Sequence, residues 1–273
     1  MQQVSSIFHK GHNGRGILLI HGFTGTPLDM DPLVKFFCGI GFAIAAPLLA
    51  GHGTTPEALR KTTWMDWMQS AEEAYHQLRL SGVGSVYTIG HSMGGLLSLR
   101  LALRYPFAAM STLSSPIFTR DQRIKYARYL KWVKPYVRRT EQKAPHIEQH
   151  LRPYPRTPLA SIDQLQRLIE SIKDDLPKIK TPIFVAQGGA DETVEPKSAN
   201  YIYNRIGSHY KKVQLYPSSS HIITRDHDHH RVNQDIASYF EAIRIQTEGE
   251  RPFFHITGNT KESRRCDHRT KID

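Results

Sequence analysis

Cysteine is almost missing from this chain of 273 residues, which has only two, and so few exclude a disulfide framework. Cys38 sits in the apolar run Phe36-Phe37-Cys38, where a buried thiol is expected, and Cys266 lies in a polar tail. No run of about 18 consecutive apolar residues occurs, so no integral membrane association is expected. The start, Met1 to Lys10, has no apolar stretch of the kind a signal peptide needs, which predicts a soluble cytoplasmic protein. Acidic residues are also in short supply, 25 against 36 Lys and Arg, for a formal net charge of +11. Residues 116–180 alone hold 15 basic and 7 acidic side chains, so +8 of that excess belongs to one segment. No nucleic-acid-binding motif accompanies it, and a solvated basic face without a nucleic-acid partner is expected. There is no internal repeat. What the chain does have is 39% hydrophobic residues with 12 Tyr, 11 Phe and 3 Trp, enough to bury one substantial core and to exclude disorder over most of its length.

Short, wholly apolar runs alternate with helical periodicity. Ile17-Leu18-Leu19-Ile20 predicts a strand buried on both faces, residues 28–38 a helix, and Phe42-Ala43-Ile44-Ala45 a second buried strand. Thr63 can cap a helix whose Trp64, Trp67, Met68, Ala71, Tyr75 and Leu78 share one face. Ser85 to Ile89 predicts the next strand, Met93 to Arg104 a helix, and Ala108 to Leu113 another strand. Residues 116–180 break the rhythm. They are basic and Tyr-rich, carry prolines at 135, 145, 153, 155 and 158, and predict a mainly helical insertion without a convincing strand. Strands return at 182–187 and 212–216, and a helix is expected from about Asp226 to Ile243. The order predicts an α/β class, a mainly parallel sheet with helices on both faces. Its core is expected over 1–115 and 181–243, with the insertion at 116–180 and a flexible tail at 244–273.

One turn stands out chemically. Gly90-His91-Ser92-Met93-Gly94 follows a predicted strand and opens a predicted helix, the setting in which a nucleophile elbow exposes a serine hydroxyl. A serine is a weak nucleophile at neutral pH, so the chain must also supply a base, a group that orients it, and donors for an oxyanion. In this arrangement the donors are backbone N–H groups, here Met93 and Phe23, the latter in the early loop His21-Gly22-Phe23-Thr24-Gly25. Acid and base should follow late strands. Asp191, in Gly188-Gly189-Ala190-Asp191-Glu192, and His221, after Ser218-Ser219-Ser220, stand where they are needed. Glu192 is the rival acid. Among the 15 histidines, His21 and His52 are expected to be structural. His227, His229 and His230 lack a convincing carboxylate or cysteine partner set, so no metal is expected.

These residues resemble the bacterial carboxylesterases and monoacylglycerol lipases of the α/β-hydrolase superfamily over most of residues 16–241. The resemblance rests on His21 to Gly25, Gly51-His52-Gly53, the elbow at 90–94, Asp191-Glu192 and Ser220-His221. It implies the α/β-hydrolase fold with a helical cap (lid) between core strands, matching 116–180. It also implies hydrolysis of small carboxylic esters by Ser92, Asp191 and His221, without metal or organic cofactor. The cap is then expected to supply an apolar acyl pocket, with Phe118, Tyr126, Tyr129, Leu130 and Trp132 as candidates. Two other readings stay open: thioester or carbon–carbon bond hydrolysis on the same triad, and a non-catalytic protein binding through the cap's basic face. The tail after about residue 243 departs from what the family pattern requires.

Overall fold

The computed structural model describes residues 4–139 and 142–248. Its strands are β1 (Ile7–His9), β2 (Arg15–Ile20), β3 (Ala43–Ala46), β4 (Ser85–His91), β5 (Met110–Leu113), β6 (Tyr136–Arg138), β7 (Arg156–Pro158), β8 (Ile183–Gly188) and β9 (Lys211–Tyr216). Seven of them form one sheet in the order β1-β3-β2-β4-β5-β8-β9. All neighbours in it are parallel except β1, which runs antiparallel along β3. The sheet is the mainly parallel one that the strand and helix order predicts, in the α/β-hydrolase arrangement that the resemblance implies. β1 itself went unpredicted, because three residues at a sheet edge are too few to show a periodicity.

Around the sheet lie α1 (Asp31–Gly39), α2 (Pro56–Arg60), α3 (Trp64–Leu80), α4 (Met93–Ala102), α5 (Ala127–Leu130), α6 (Pro145–Glu148), α7 (Leu159–Lys173), α8 (Lys197–Arg205) and α9 (His229–Glu248). Alternate side chains of each central strand point to opposite layers, as the pleat requires. Leu18, Ile20, Val86, Ile183 and Val185 pack with α3, α4, α7 and α8. Ile17, Leu19, Tyr87, Phe184 and Ala186 pack with α1 and α9, where Phe37, Val232, Ile236 and Phe240 are buried. A strand apolar at every position is therefore what two covered faces demand. Cys38 lies at the margin of this second layer, half-buried where full burial was expected.

Local signals set several boundaries. The Thr63 N–H and hydroxyl both donate to the Asp66 carboxylate, at 2.7 and 2.8 Å, and this cap starts α3. Trp67 is fully buried on its inner face, with its indole N–H on Thr62 Oγ1 at 2.9 Å. α9 continues to Glu248, beyond the expected end at 243; the remainder of the expected flexible tail, 249–273, lies outside the described residues. No helix among the described residues is long and apolar enough to cross a membrane.

The insertion between β5 and β8 differs from its expectation in two ways. It holds a two-stranded antiparallel ladder in which Tyr136 pairs with Pro158 and Arg138 with Arg156. Strands of three residues with prolines on and beside them carry no alternation signal, although a two-stranded ladder leaves proline an edge position free of pairing demands. Second, α7 lies in the core: Leu165, Leu168, Ile169 and Ile172 join the layer of α3 and α4. Each such side chain contributes about 1.5–3 kcal/mol on burial, so the four supply roughly 6–12 kcal/mol. That is comparable to the whole net stability of a domain. Deleting 116–180 entire is therefore expected to give no folded protein, whereas replacing 121–153 by a short linker, which spares α7, should give a cooperative unfolding transition. Thermal melts of the two deletions followed by circular dichroism test this; a folded 116–180 deletion would move α7 out of the core.

Candidate active site

Every loop that the sequence marks for chemistry leaves the carboxyl end of a parallel strand. Phe23 follows β2, Ser92 follows β4, Asp191 follows β8 and His221 follows β9. Because those strands are parallel members of one sheet, with only β5 between β4 and β8, residues far apart in sequence meet over one edge of it.

The turn after β4 is tight. Ser92 has φ 52° and ψ −120°, a left-handed conformation that costs a non-glycine residue about 1–3 kcal/mol. Its N–H donates to Leu113 O at 2.7 Å, and Gly95 N–H donates to Ser92 O at 2.9 Å, which pins the turn between β5 and α4. Gly90 and Gly94 permit it by close approach. A Cβ on Gly90 would lie 2.2 Å from Gly94 O, and one on Gly94 only 2.1 Å from Ile20 O. Met93 is the first residue of α4, so its N–H belongs to the helix end that no helical carbonyl can reach.

Ser92, His221 and Asp191 come together as expected. Ser92 Oγ and His221 Nε2 are 3.0 Å apart, and His221 Nδ1 and Asp191 Oδ2 are 2.9 Å apart. Asp191 is fully buried and saturated with donors. Its Oδ1 accepts the Thr193 and Val194 N–H groups at 2.9 and 2.7 Å, and its Oδ2 also accepts the Gln187 amide at 2.9 Å. Burial alone pushes this carboxyl upward; the His221 charge and hydrogen bond, with the two backbone donors, outweigh it and hold Asp191 below its ordinary value. An ionised Asp191 requires Nδ1–H on His221, which leaves the Nε2 lone pair facing the serine hydroxyl.

Glu192, the rival acid, has another place. Its Oε2 accepts the backbone N–H of His221 at 3.1 Å, and its Oε1 pairs with Lys143 of the insertion. Two further contacts were not legible in sequence. His91 Nε2 donates to the His221 carbonyl at 2.9 Å, across 130 residues, and Arg120 Nε donates to the Asp191 carbonyl at 2.6 Å. His91 carries no local signal of this, being merely the variable residue of G-x-S-x-G. Together these bonds hold the backbone of acid and base from both the sheet side and the insertion side.

The five residues named for an acyl pocket do not gather over Ser92. Tyr126, Tyr129, Leu130 and Trp132 are 50%, 66%, 49% and 83% exposed, so they enclose nothing. Phe118 is engaged elsewhere, edge-on to Tyr201 at 5.3 Å with Lys173 and Lys197 over its ring. Ser92 and His221 are themselves only 8% and 6% exposed, and the insertion lies beside the loops that carry Asp191 and His221. It is tied down at two edges. Tyr154 Oη donates to Gly51 O at 2.9 Å and Arg156 pairs with Glu57, while Lys143 and His146 reach the acid and base loops. Much of the local positive charge is thereby paired, Arg139 with Glu148 and Lys131 with Asp163 included.

The structural histidines set an acid limit on stability. His21 Nδ1–H donates to Gly22 O at 2.8 Å while Nε2 accepts Leu49 N–H at 3.2 Å, so the ring is neutral. Burial lowers His21 well below 6.5, His52 to about 4 and His91 to about 3. These groups stay unprotonated when folded and gain protons when unfolded, so the stability they allow is complete above pH 6.5 and is lost as pH falls toward their folded values. Asp29, raised by burial to about 6, acts in the opposite sense and offsets one proton. Urea unfolding between pH 6.5 and 5 should therefore show stability falling by up to about 2.7 kcal/mol per pH unit. His52→Gln should flatten that slope by about 1.4 kcal/mol per pH unit; an unchanged slope would mean His52 is not held neutral.

Comparison with known proteins agrees with this architecture. The model of the family described as Hydrolase_4, serine aminopeptidase, S33, matches residues 11–228. A carboxylesterase of Bacillus subtilis (strain 168) is 31% identical over 230 residues, covering 84% of this chain and 93% of that protein. A thermostable monoacylglycerol lipase of Bacillus sp. (strain H-257) is 31% identical over 240 residues, covering 85% and 93%. A solved chain of the metagenome-derived lipolytic enzymes LipS and LipT superposes with a TM-score of 0.83 at 26% identity, covering 89% of this chain and 99% of that one. A seven-stranded sheet, a strained serine turn and a family match over four-fifths of the chain lead to one assignment: the chain belongs to the Hydrolase_4 family of α/β-hydrolases, with carboxylesterase and monoacylglycerol lipase relatives.

Proposed function

We propose that the protein is a serine carboxylesterase that hydrolyses short- to medium-chain esters, monoacylglycerols among them, through an acyl-enzyme on Ser92. The observation that carries this reading is the continuous chain from Ser92 Oγ through His221 to Asp191, at 3.0 and 2.9 Å. His221 takes the hydroxyl proton as Ser92 attacks the ester carbonyl, and Asp191 stabilises the imidazolium that results. The N–H groups of Met93 and Phe23 receive the oxyanion. His221 then protonates the leaving alcohol, and water, deprotonated by the same imidazole, releases the acid. The names of the two curated relatives support an ester as substrate. Rapid turnover of a chromogenic short-chain ester, abolished by an organophosphonate, is the expected result; turnover of a matching thioester alone would favour the thioesterase reading.

We place the cap at residues 116–158 and assign α7 to the core, because its apolar face lies in the layer of α3 and α4. Acyl-chain preference then resides in other parts of the cap rather than in Phe118 or the four exposed residues. Each buried methylene contributes about 0.8 kcal/mol, so kcat/KM should rise at most about tenfold for every two methylenes until the space is filled. The 121–153 replacement measured across an ester series tests this. An unchanged chain-length profile in that folded variant would put the acyl pocket in the core.

A further inference from the structure

Between the cap and the loop that carries His221 lies a groove of about 280 Å³, bordered by Lys143, His146, Glu192, Ser220, Asp226 and His227. Three of these bring metal-ligating atoms together. His146 Nε2 is 3.2 Å from Asp226 Oδ1, and His227 Nε2 is 3.7 Å from that same oxygen. One donor atom from each of the three residues lies within 4.8 Å of the other two. We propose that His146, Asp226 and His227 form a binding site for a divalent transition-metal ion, Zn²⁺ in chemistry, that bridges the cap to the base-carrying loop.

Two imidazoles and one carboxylate suit Zn²⁺ and its neighbours, whereas Mg²⁺ and Ca²⁺ prefer oxygen donors. Ligands about 2.0–2.1 Å from a tetrahedral ion stand roughly 3.3 Å apart, close to the spacings found here. The carboxylate is already oriented. Asp226 is 4% exposed; its Oδ2 accepts the Ser220 N–H and hydroxyl at 2.7 and 2.5 Å, and its Oδ1 accepts the His227 N–H at 2.8 Å while facing the two rings. Such outer hydrogen bonds are what fix a ligand before an ion arrives. The histidines supply access: their side chains are 41% and 71% exposed, so the rings are free to turn and close a spread of up to 4.8 Å onto one ion. The neighbouring ammonium of Lys143 is paired with Glu192, which reduces its opposition to a second cation. His227 has no sequence neighbour that completes such a set; His146 reaches it from 81 residues away only because α6 folds onto this loop.

Equilibrium dialysis of the full chain against ZnCl₂, with MgCl₂ as the contrasting ion, tests the proposal. One Zn²⁺ per chain is expected at this site, with Mg²⁺ not retained. His146→Gln and His227→Gln should each weaken Zn²⁺ binding by at least about tenfold, the low end of what perturbing even a supporting residue costs. Both positions are exposed, so the far-UV spectrum should not change. Zn²⁺ should also raise the thermal midpoint of the wild type and of neither variant. No retained Zn²⁺, or variants that bind it as the wild type does, would overturn the assignment, the latter by placing the ion on other histidines. None of these readouts involves ester turnover, so the outcome is independent of the proposed role of Ser92.

Discussion

Ser92→Ala is expected to leave a folded protein and to lower kcat by about 10⁶-fold, the scale seen when a triad serine is removed in a reference protease. Folding should survive because the strained φ of 52° is already borne by a residue with a Cβ, so alanine adds no new clash. What is lost is the hydroxyl that lies 3.0 Å from His221 Nε2. An organophosphonate should label the wild type at Ser92 and leave the variant unlabelled, with peptide mapping as the readout. Two nearby serines make the experiment discriminating. Ser115 is buried close to Gly95, and Ser219 donates to Asp228 at 2.8 Å. A label on either would show that the nucleophile has been misassigned.

His221→Ala and Asp191→Asn should each reduce kcat by about 10⁴-fold, while Glu192→Gln should cost less than tenfold. The contrast follows from where the two carboxylates point. Asp191 meets the imidazole itself, and an amide there would turn an N–H toward Nδ1 and favour the tautomer whose Nε2 already carries a proton. The same Asn would confront the Gln187, Thr193 and Val194 donors with one acceptor oxygen fewer in charge, so a stability loss is expected beside the catalytic one. Glu192 touches only the backbone N–H of His221, and glutamine keeps a carbonyl oxygen for it while giving up the pairing with Lys143. Steady-state kinetics on the three purified variants decide the matter. A silent Asp191→Asn with a damaging Glu192→Gln would reverse the assignment of the acid.

The central strands, the serine turn and the loop positions of Ser92, Asp191 and His221 were legible because each depends on a local pattern. A strand covered on both faces must be apolar at successive positions, and Ile17 to Ile20 is. The elbow needs small residues at fixed offsets because its backbone passes within contact of β2, and Gly90 and Gly94 stand there. Placement after β8 and β9 then selects Asp191 and His221, since parallel neighbours end on the same side of the sheet.

Tertiary structure alone decided the rest, for a common reason: those properties belong to pairs of residues brought together across long stretches of chain. Glu192 and Asp191 are adjacent in sequence and chemically alike, and only the path of the loop gives one the imidazole and the other the backbone N–H. A mainly helical insertion was legible, but not that the apolar face of α7 within it meets the layer of α3 and α4. Aromatic residues at 126, 129 and 132 suggested an acyl pocket, yet burial depends on what packs against a side chain, and here they face outward. His91 and His146 found their partners 130 and 80 residues away, on His221 and Asp226, through contacts that exist only once sheet and cap have closed on the same loop.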